Sequence, residues 1–378
     1  MLLSLVQNVK SGVFSGIVGV ERLAGREYRG PLKVIRNFLV LQYPAALGTA
    51  IHATPLIPAL RDAVPGCRIA VAASSFALEV LRNHPGIDTL IETPSPLKDL
   101  RGAVRALRGK IPFEKGSFVT ITSTGNERTL VAMQAVLCGA ATRVGFTVVP
   151  ALYCVPMAFD NTRSQIANNL RIVEALGHTS KHFEPQLFFS DEDLVSAQAM
   201  LETAGLGEEQ PLAVFVTQTS VTQRKGWRAE RFRAVAQHLH ERYGAHILFV
   251  GTGAESAAID ELRGRLSFPT TNVAGKTTLP GLAALMSLAN VGLSLDTGPL
   301  HIGRAAGLPM AIIAPAWSPP VEWLPLNDDR FRILKNADME KAPEGYVIDE
   351  VSVDEVIGAL DSLLSQFPRA FVAEKRRG

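Results

Sequence analysis

The residues best equipped for chemistry stand together in "SLDTGPLHIGRAAGLP" (294–309), where a carboxylate, a hydroxyl, a glycine and a histidine share one turn. The preceding run "NVGLSL" (290–295) has strand length. The following "LHIGRAAGL" carries small and apolar residues at helical spacing and stops at Gly-Leu-Pro. Asp296, Thr297 and Gly298 therefore fall where a strand ends and a helix begins. Pro299 suits the first helical turn, because the N–H it lacks has no intrahelical partner there. The exposed N–H groups of such a turn, with the positive end of the helix dipole, favour an anion. His301, one turn in, adds a donor. Asp296 and Thr297 are equally able to act as plain helix caps.

A second group lies in "VTQTSVTQRKGWRAERF" (216–232): Thr217, Thr219, Ser220 and Thr222 end a strand, and Arg224-Lys225 precede Trp227 and a helix. Hydroxyls with a cation at a strand's carboxyl end suit a phosphate; a solvated polar loop is the plain alternative. "GTGAES" (251–256) has G-x-G after a strand, but Ser256 replaces the third glycine of a dinucleotide fingerprint. Glu255 there is either a surface carboxylate facing a helix dipole or a ligand for ribose hydroxyls. "AGKTT" (274–278) ends like a P-loop, yet Thr270 stands where the earlier glycine belongs, which excludes it. "SDEDL" (190–194) holds D-x-D, a metal-binding pattern, but Ser190 before an acidic first turn reads as a helix start. His84, His178, His182, His238, His240 and His246 have no ligand spacing, so no metal site is expected.

These groups need a scaffold, and the pattern supplies one. Strand-length apolar runs at 34–43, 68–74, 89–93, 117–123 and 143–146 alternate with helix-length segments. A second series follows at 212–218, 245–251, 271–275, 291–296 and 310–315. Such alternation implies parallel sheets of βαβ units. Two series in 378 residues imply two Rossmann-like domains, with the site expected in the cleft between facing sheets. The boundary falls where "HFEPQLFFS" breaks the pattern. This gives an N-terminal segment 1–30, a first domain 31–185, a second domain 186–352, and a C-terminal helix with a basic tail at 353–378.

Composition excludes several classes. A net charge of +2 offers no basic field for nucleic acid. Three cysteines (Cys67, Cys138, Cys154) without a CxxC suit a reducing cytoplasm rather than a disulfide framework. No apolar run is long enough to span a membrane. In the first thirty residues Leu2, Val6, Val9, Val13, Ile17 and Val20 form a helical stripe followed by Arg22, Arg26 and Arg29. Lys10 interrupts it, unlike a secretory signal. Two readings stand: a helix lying on a membrane surface, or one docked on the protein's own core.

In this order, the segments resemble glycosyltransferase family 9, the ADP-heptose:lipopolysaccharide heptosyltransferases, over roughly residues 34–365. The most specific part, "GKTTLPGLAALMSLANVGLSLDTGPLHIGRAAGLP" (275–309), follows the family's G-K-T-S-L … N-D-T-G-P-x-H-x-A-A-A-x-G-x-P pattern. "TQRKGWRAERFRAVAQHL" is similar to its K-R-W-P-x-E-R-F segment, and "LFVGTGAES" to its strand–glycine–Glu turn. "ATPLIPALRDAVPGCRIAV", "TRVGF" and "NNLRIVEALG" match further landmarks. The resemblance implies an α/β GT-B fold: two facing Rossmann-like domains, acceptor on the first and nucleotide sugar on the second. It implies inverting transfer without a metal or other cofactor. By position, Lys225 would contact the donor phosphates and Glu255 the nucleoside, and Ser220 is counted in the same nucleotide-sugar site. Gly298 and His301 would hold the diphosphate, and Asp296 with Thr297 would reach sugar and phosphate.

Two departures matter. The family's first loop reads L-G-D-x-x-x-x-T-P, its Asp serving as general base, whereas "LGTAIHATP" (47–55) puts Thr49 there. A threonine hydroxyl accepts no proton at neutral pH. His52, one helical turn on, either takes over as base or is a helix-surface residue. The second departure is "APAWSPP" (314–320), where the family usually has a glycine after the strand. The expected activity is transfer of a sugar, heptose from ADP-heptose foremost, to a glycolipid or oligosaccharide acceptor of the cell envelope. Arg101, Arg105 and Arg108 on a basic helix fit an anionic acceptor at the inner face of the membrane, with the protein cytoplasmic and peripheral. The competing reading is a nucleotide-binding GT-B protein that lost catalysis with the Asp.

Overall fold

The computed structural model describes residues 30–140, 142–206, 210–219 and 225–368, together with Gly16. The N-terminal apolar stripe, Ser220 with Thr222 and Arg224, and the basic tail lie outside the described residues. The chain divides into two compact units, Met1–Pro185 and Gln186–Gly378.

The first unit is built on β1 (Asn37–Gln42), β2 (Arg68–Ala73), β3 (Thr89–Glu92), β4 (Val119–Thr122), β5 (Thr142–Phe146) and β6 (Val155–Met157), in the order β3-β2-β1-β4-β5-β6. The second uses β7 (Leu212–Val216), β8 (His246–Val250), β9 (Thr270–Asn272), β10 (Val291–Leu295), β11 (Met310–Ile313) and β12 (Phe331–Leu334), in the order β12-β11-β10-β7-β8-β9. The pairings are parallel. Counted from its own first strand, each sheet has the doubly wound 3-2-1-4-5-6 order. The fold is therefore the pair of Rossmann-like units that defines the GT-B class.

Central strands such as β7, β8 and β10 are buried along their whole length. Helices on both faces explain why they read as unbroken apolar runs rather than as alternation. In the second unit Phe215 meets Phe249 edge-on at 5.8 Å, and Trp227 meets Phe232 at 4.9 Å. The Trp227 indole N–H donates to the Val351 carbonyl at 3.0 Å. The helix Val353–Gln366 adds Val356, Leu360 and Leu363 to the same core. Two strands escape the sequence pattern, β6 and β12, and both are short, partly exposed edges. Pro156 inside β6 is tolerable only at an edge, where no ladder needs its missing N–H.

Each sheet reverses its winding between its first and fourth strands, β1/β4 and β7/β10. Ligand-binding groups in open α/β sheets collect beyond the carboxyl ends of those strands. Among the described residues no helix is long and apolar enough to cross a membrane.

Candidate active site

At the switch point of the second sheet, β7 and β10 run side by side with Val216 level with Ser294. Lys225, which follows β7 in sequence, lies at the end of β10. Its Nζ lies 2.6 Å from Asp296 Oδ2 and 3.1 Å from the Asp296 carbonyl. The pair is largely withdrawn from water, Lys225 at 13% and Asp296 at 4% side-chain exposure. The loop after β11 brings Trp317 alongside, its ring centre 5.4 Å from the same ammonium. That residue belongs to the "APAWSPP" departure, and its contact with Lys225 could not be read from sequence.

Thr297 is the N-cap of the helix Gly298–Ala305, with extended backbone (φ −141°, ψ 175°) and Pro299 in the first turn. Its side chain makes no capping bond. Thr297 Oγ1 is buried and has no hydrogen-bond partner among the described residues. An N-cap hydroxyl ordinarily accepts an N–H of the first turn. The capping role that the sequence allowed for Asp296 and Thr297 therefore fails twice: Asp296 binds Lys225, and Thr297 caps nothing. His301 is 4% exposed. Burial pushes its pKa down to about 4; Asp296 opposes the shift, and Arg304 and Lys225 add to it. Near neutral pH the imidazole is thus an uncharged donor–acceptor rather than a cation. Trp323 packs 5.9 Å from its ring, and Arg304 is buried on the same helix; the sequence reading singled out neither.

Glu255 closes the tight turn after β8. Its Oε2 accepts the Thr252 N–H at 2.7 Å, completing a reciprocal cap. Gly275 packs against this turn. Its φ is +71°, a Cβ there would lie 2.6 Å from the Gly253 Cα, and its N–H donates to the Gly251 carbonyl at 3.0 Å. The glycine of "AGKTT" thus brings two backbones together. Lys276 of the same segment donates to the Asn272 carbonyl at 2.9 Å. In "SDEDL", Asp193 Oδ2 accepts the Ser190 N–H and hydroxyl, each at 2.9 Å, and begins the helix Asp191–Thr203. Among the described residues no three His, Cys, Asp or Glu side chains are placed to share a metal.

In the first unit, Thr49 and His52 lie on the helix Leu47–Ala53, which is buried from Gly48 to Ala53. Thr49 is 7% exposed and His52 fully buried, so His52 is not the surface residue that its spacing allowed. The His52 carbonyl accepts Asn169 Nδ2 at 3.1 Å. Thr49 faces the loop after β4 at Gly125, where φ is +78° and a Cβ would come within 2.2 Å of Thr49 Cγ2. Buried polar bonds hold that loop. Asn126 Oδ1 accepts the Tyr43 N–H at 2.5 Å, and the Thr124 N–H reaches Asn169 Oδ1 at 3.0 Å. Gln42 and Asn126 both donate to Ser123 Oγ, at 2.8 and 3.0 Å.

The glycosyltransferase family 9 (heptosyltransferase) model matches residues 140–345, more than half of the chain, and the chain belongs to that family. The match takes in Lys225, Glu255 and the turn 296–301, and leaves out Thr49 and His52. Lipopolysaccharide heptosyltransferase 3 of Escherichia coli is 22% identical over 335 residues, 84% of this chain and 96% of the relative. A family 9 glycosyl transferase structure from Veillonella parvula superposes with a TM-score of 0.78 at 22% identity, covering 89% of this chain and 99% of that one. The structure of E. coli ADP-heptose lps heptosyltransferase II gives 0.70 at 19%, covering 87% and 99%. At these identities the structural likeness is one of fold. Family membership supports sugar transfer of the heptosyltransferase kind as the general function.

Proposed function

We propose that this chain is an inverting, metal-independent transferase that moves heptose from ADP-heptose to a lipopolysaccharide-type or other cell-envelope glycan. The observation that carries the reading is the uncapped helix start at Thr297 beside the Lys225–Asp296 pair. A buried hydroxyl, the Gly298 backbone, a neutral His301 and an oriented ammonium form a set of donors suited to a diphosphate. Asp296 fixes the ammonium and reaches toward the sugar, Glu255 toward the nucleoside, and Ser220 adds a hydroxyl. As the acceptor oxygen attacks the anomeric carbon, the bond to the diphosphate breaks and its electron pair leaves with ADP. Fixed donors stabilise that growing charge most, which is where stabilisation accelerates the reaction.

Two similar proteins are named for this chemistry, a lipopolysaccharide heptosyltransferase and an ADP-heptose heptosyltransferase. The acceptor is assigned to the first unit. There Arg101, Arg105 and Arg108 are exposed along one side of the helix Leu100–Arg108, whose Ala103, Val104 and Leu107 are buried. That face suits an anionic acceptor at the cytoplasmic surface of the membrane. A thermal-shift screen of ADP, UDP, GDP and ADP-heptose, with Mg²⁺ or with EDTA, tests the donor. Stabilisation by ADP and ADP-heptose, equal in both buffers, is expected; preference for another nucleotide, or loss in EDTA, contradicts it. Nucleotide binding without any transfer would indicate the catalytically impaired relative instead.

A further inference from the structure

We propose that Glu127, on the loop after β4, is the general base of the transfer reaction and supplies the carboxylate that Thr49 does not. The inference rests on the transferase reading above and deepens it.

Thr49 and the β4 loop touch at the switch point of the first sheet, the counterpart of the place where Lys225 and Asp296 meet in the second. The contact is close enough that Gly125 admits no side chain. Bonds from Gln42, Tyr43 and Asn169 to Ser123, Thr124 and Asn126 fix the loop against β1 and the helix Gln165–Ala175. Glu127 follows directly and is partly exposed. Its carboxylate is held near the Gly125 N–H, the backbone that packs on Thr49. An acid thus stands on the neighbouring strand's loop, two residues beyond the glycine that packs on Thr49. Burial raises its pKa, offset in part by the N–H groups of Glu127 and Gly125 and by the Arg128 charge. A carboxylate whose pKa is raised is a stronger base than a free one. His52, the base that the sequence offered, has no exposed surface.

In the step, Glu127 takes the proton of the acceptor hydroxyl while that oxygen bonds to the anomeric carbon. The carbon–oxygen bond to the diphosphate breaks, ADP leaves with the electron pair, and Glu127 later returns the proton to solvent.

The test uses the full chain, ADP-heptose and core-truncated lipopolysaccharide, with Glu127→Gln, Thr49→Asp/Glu127→Gln and His52→Gln compared with wild type. Glu127→Gln is expected to lower kcat by about 10²–10⁴-fold, with the KM for ADP-heptose and the melting temperature unchanged. Thr49→Asp should restore part of kcat in the Glu127→Gln background. Wild-type kcat in Glu127→Gln, or a loss confined to His52→Gln, overturns the proposal. A wild type that binds ADP but transfers no heptose marks failure of the transferase reading itself, and the base falls with it.

Discussion

Lys225 and Asp296, 71 residues apart in sequence, form one ion pair at 2.6 Å across the two central strands of the second sheet. Neither charge is independent of the other. Lys225→Ala leaves a carboxylate of 4% exposure uncompensated. It should cost about 3 kcal/mol of unfolding free energy, near the lower end for breaking a buried pair. It should also weaken ADP binding by about 1.5–3 kcal/mol, the range for a hydrogen bond to a charged group. The double variant Lys225→Met/Asp296→Asn should recover most of the stability and none of the affinity. Urea denaturation with isothermal calorimetry checks both; recovery of ADP affinity in the double variant would return Lys225 to a purely structural role.

Thr297→Val separates binding from folding more sharply. The hydroxyl is buried without a partner among the described residues and caps nothing. Replacing it with a methyl should leave stability unchanged or raise it slightly, since burial of an unmade hydrogen bond costs free energy. ADP affinity should fall by about 0.5–1.5 kcal/mol, a typical hydrogen-bond contribution. A loss of stability with unchanged affinity would make this hydroxyl an ordinary cap.

His301 sets an acid limit. Its pKa is about 4 in the folded chain against 6.5 for a free imidazole, so the unfolded chain binds the proton more readily. The stability that follows is fully present above pH 6.5 and is lost as the pH falls toward 4. His301→Gln removes this contribution, and its stability should decline less steeply over that window. Denaturation curves at pH 7, 5.5 and 4.5 decide it; parallel declines would mean that His301 does not couple protonation to folding.

Much of this architecture was legible in the sequence because buried parallel strands are continuous apolar runs and their turns carry glycine, proline and capping residues. The edges were not. "VPM" (155–157) and "FRIL" (331–334) are too short and too exposed to stand out. At the candidate site, the strand–turn–helix at Asp296 could be read from local pattern alone. Lys225 could be read as a cation beyond a strand's end, but its pairing with Asp296 could not, because nothing local links residues so far apart. The same limit hid the packing of the β4 loop on Thr49, which only the pairing of β1 with β4 brings about. It also hid the burial of His52. A seven-residue helix is apolar enough on paper to have one wet face, and only packing on every side removes it.

The basic helix gives a test of location. Substituting Arg101, Arg105 and Arg108 together with Gln should lower binding to anionic vesicles by up to about 100-fold at low salt, from roughly 1 kcal/mol for each cation near such a surface. Binding to zwitterionic vesicles and to ADP should not change. Equal flotation of wild type and triple variant would move membrane contact away from this helix.

The most direct measurement is of the transfer itself. Purified chain is incubated in EDTA with ADP-heptose and core-truncated lipopolysaccharide, while ADP release and the anomeric configuration of the product are followed by NMR. The account predicts acceptor-dependent ADP release, a product with the anomeric centre inverted relative to the donor, and a rate that falls with Lys225→Ala. Retention of configuration, dependence on added metal, or ADP binding with no product would contradict it.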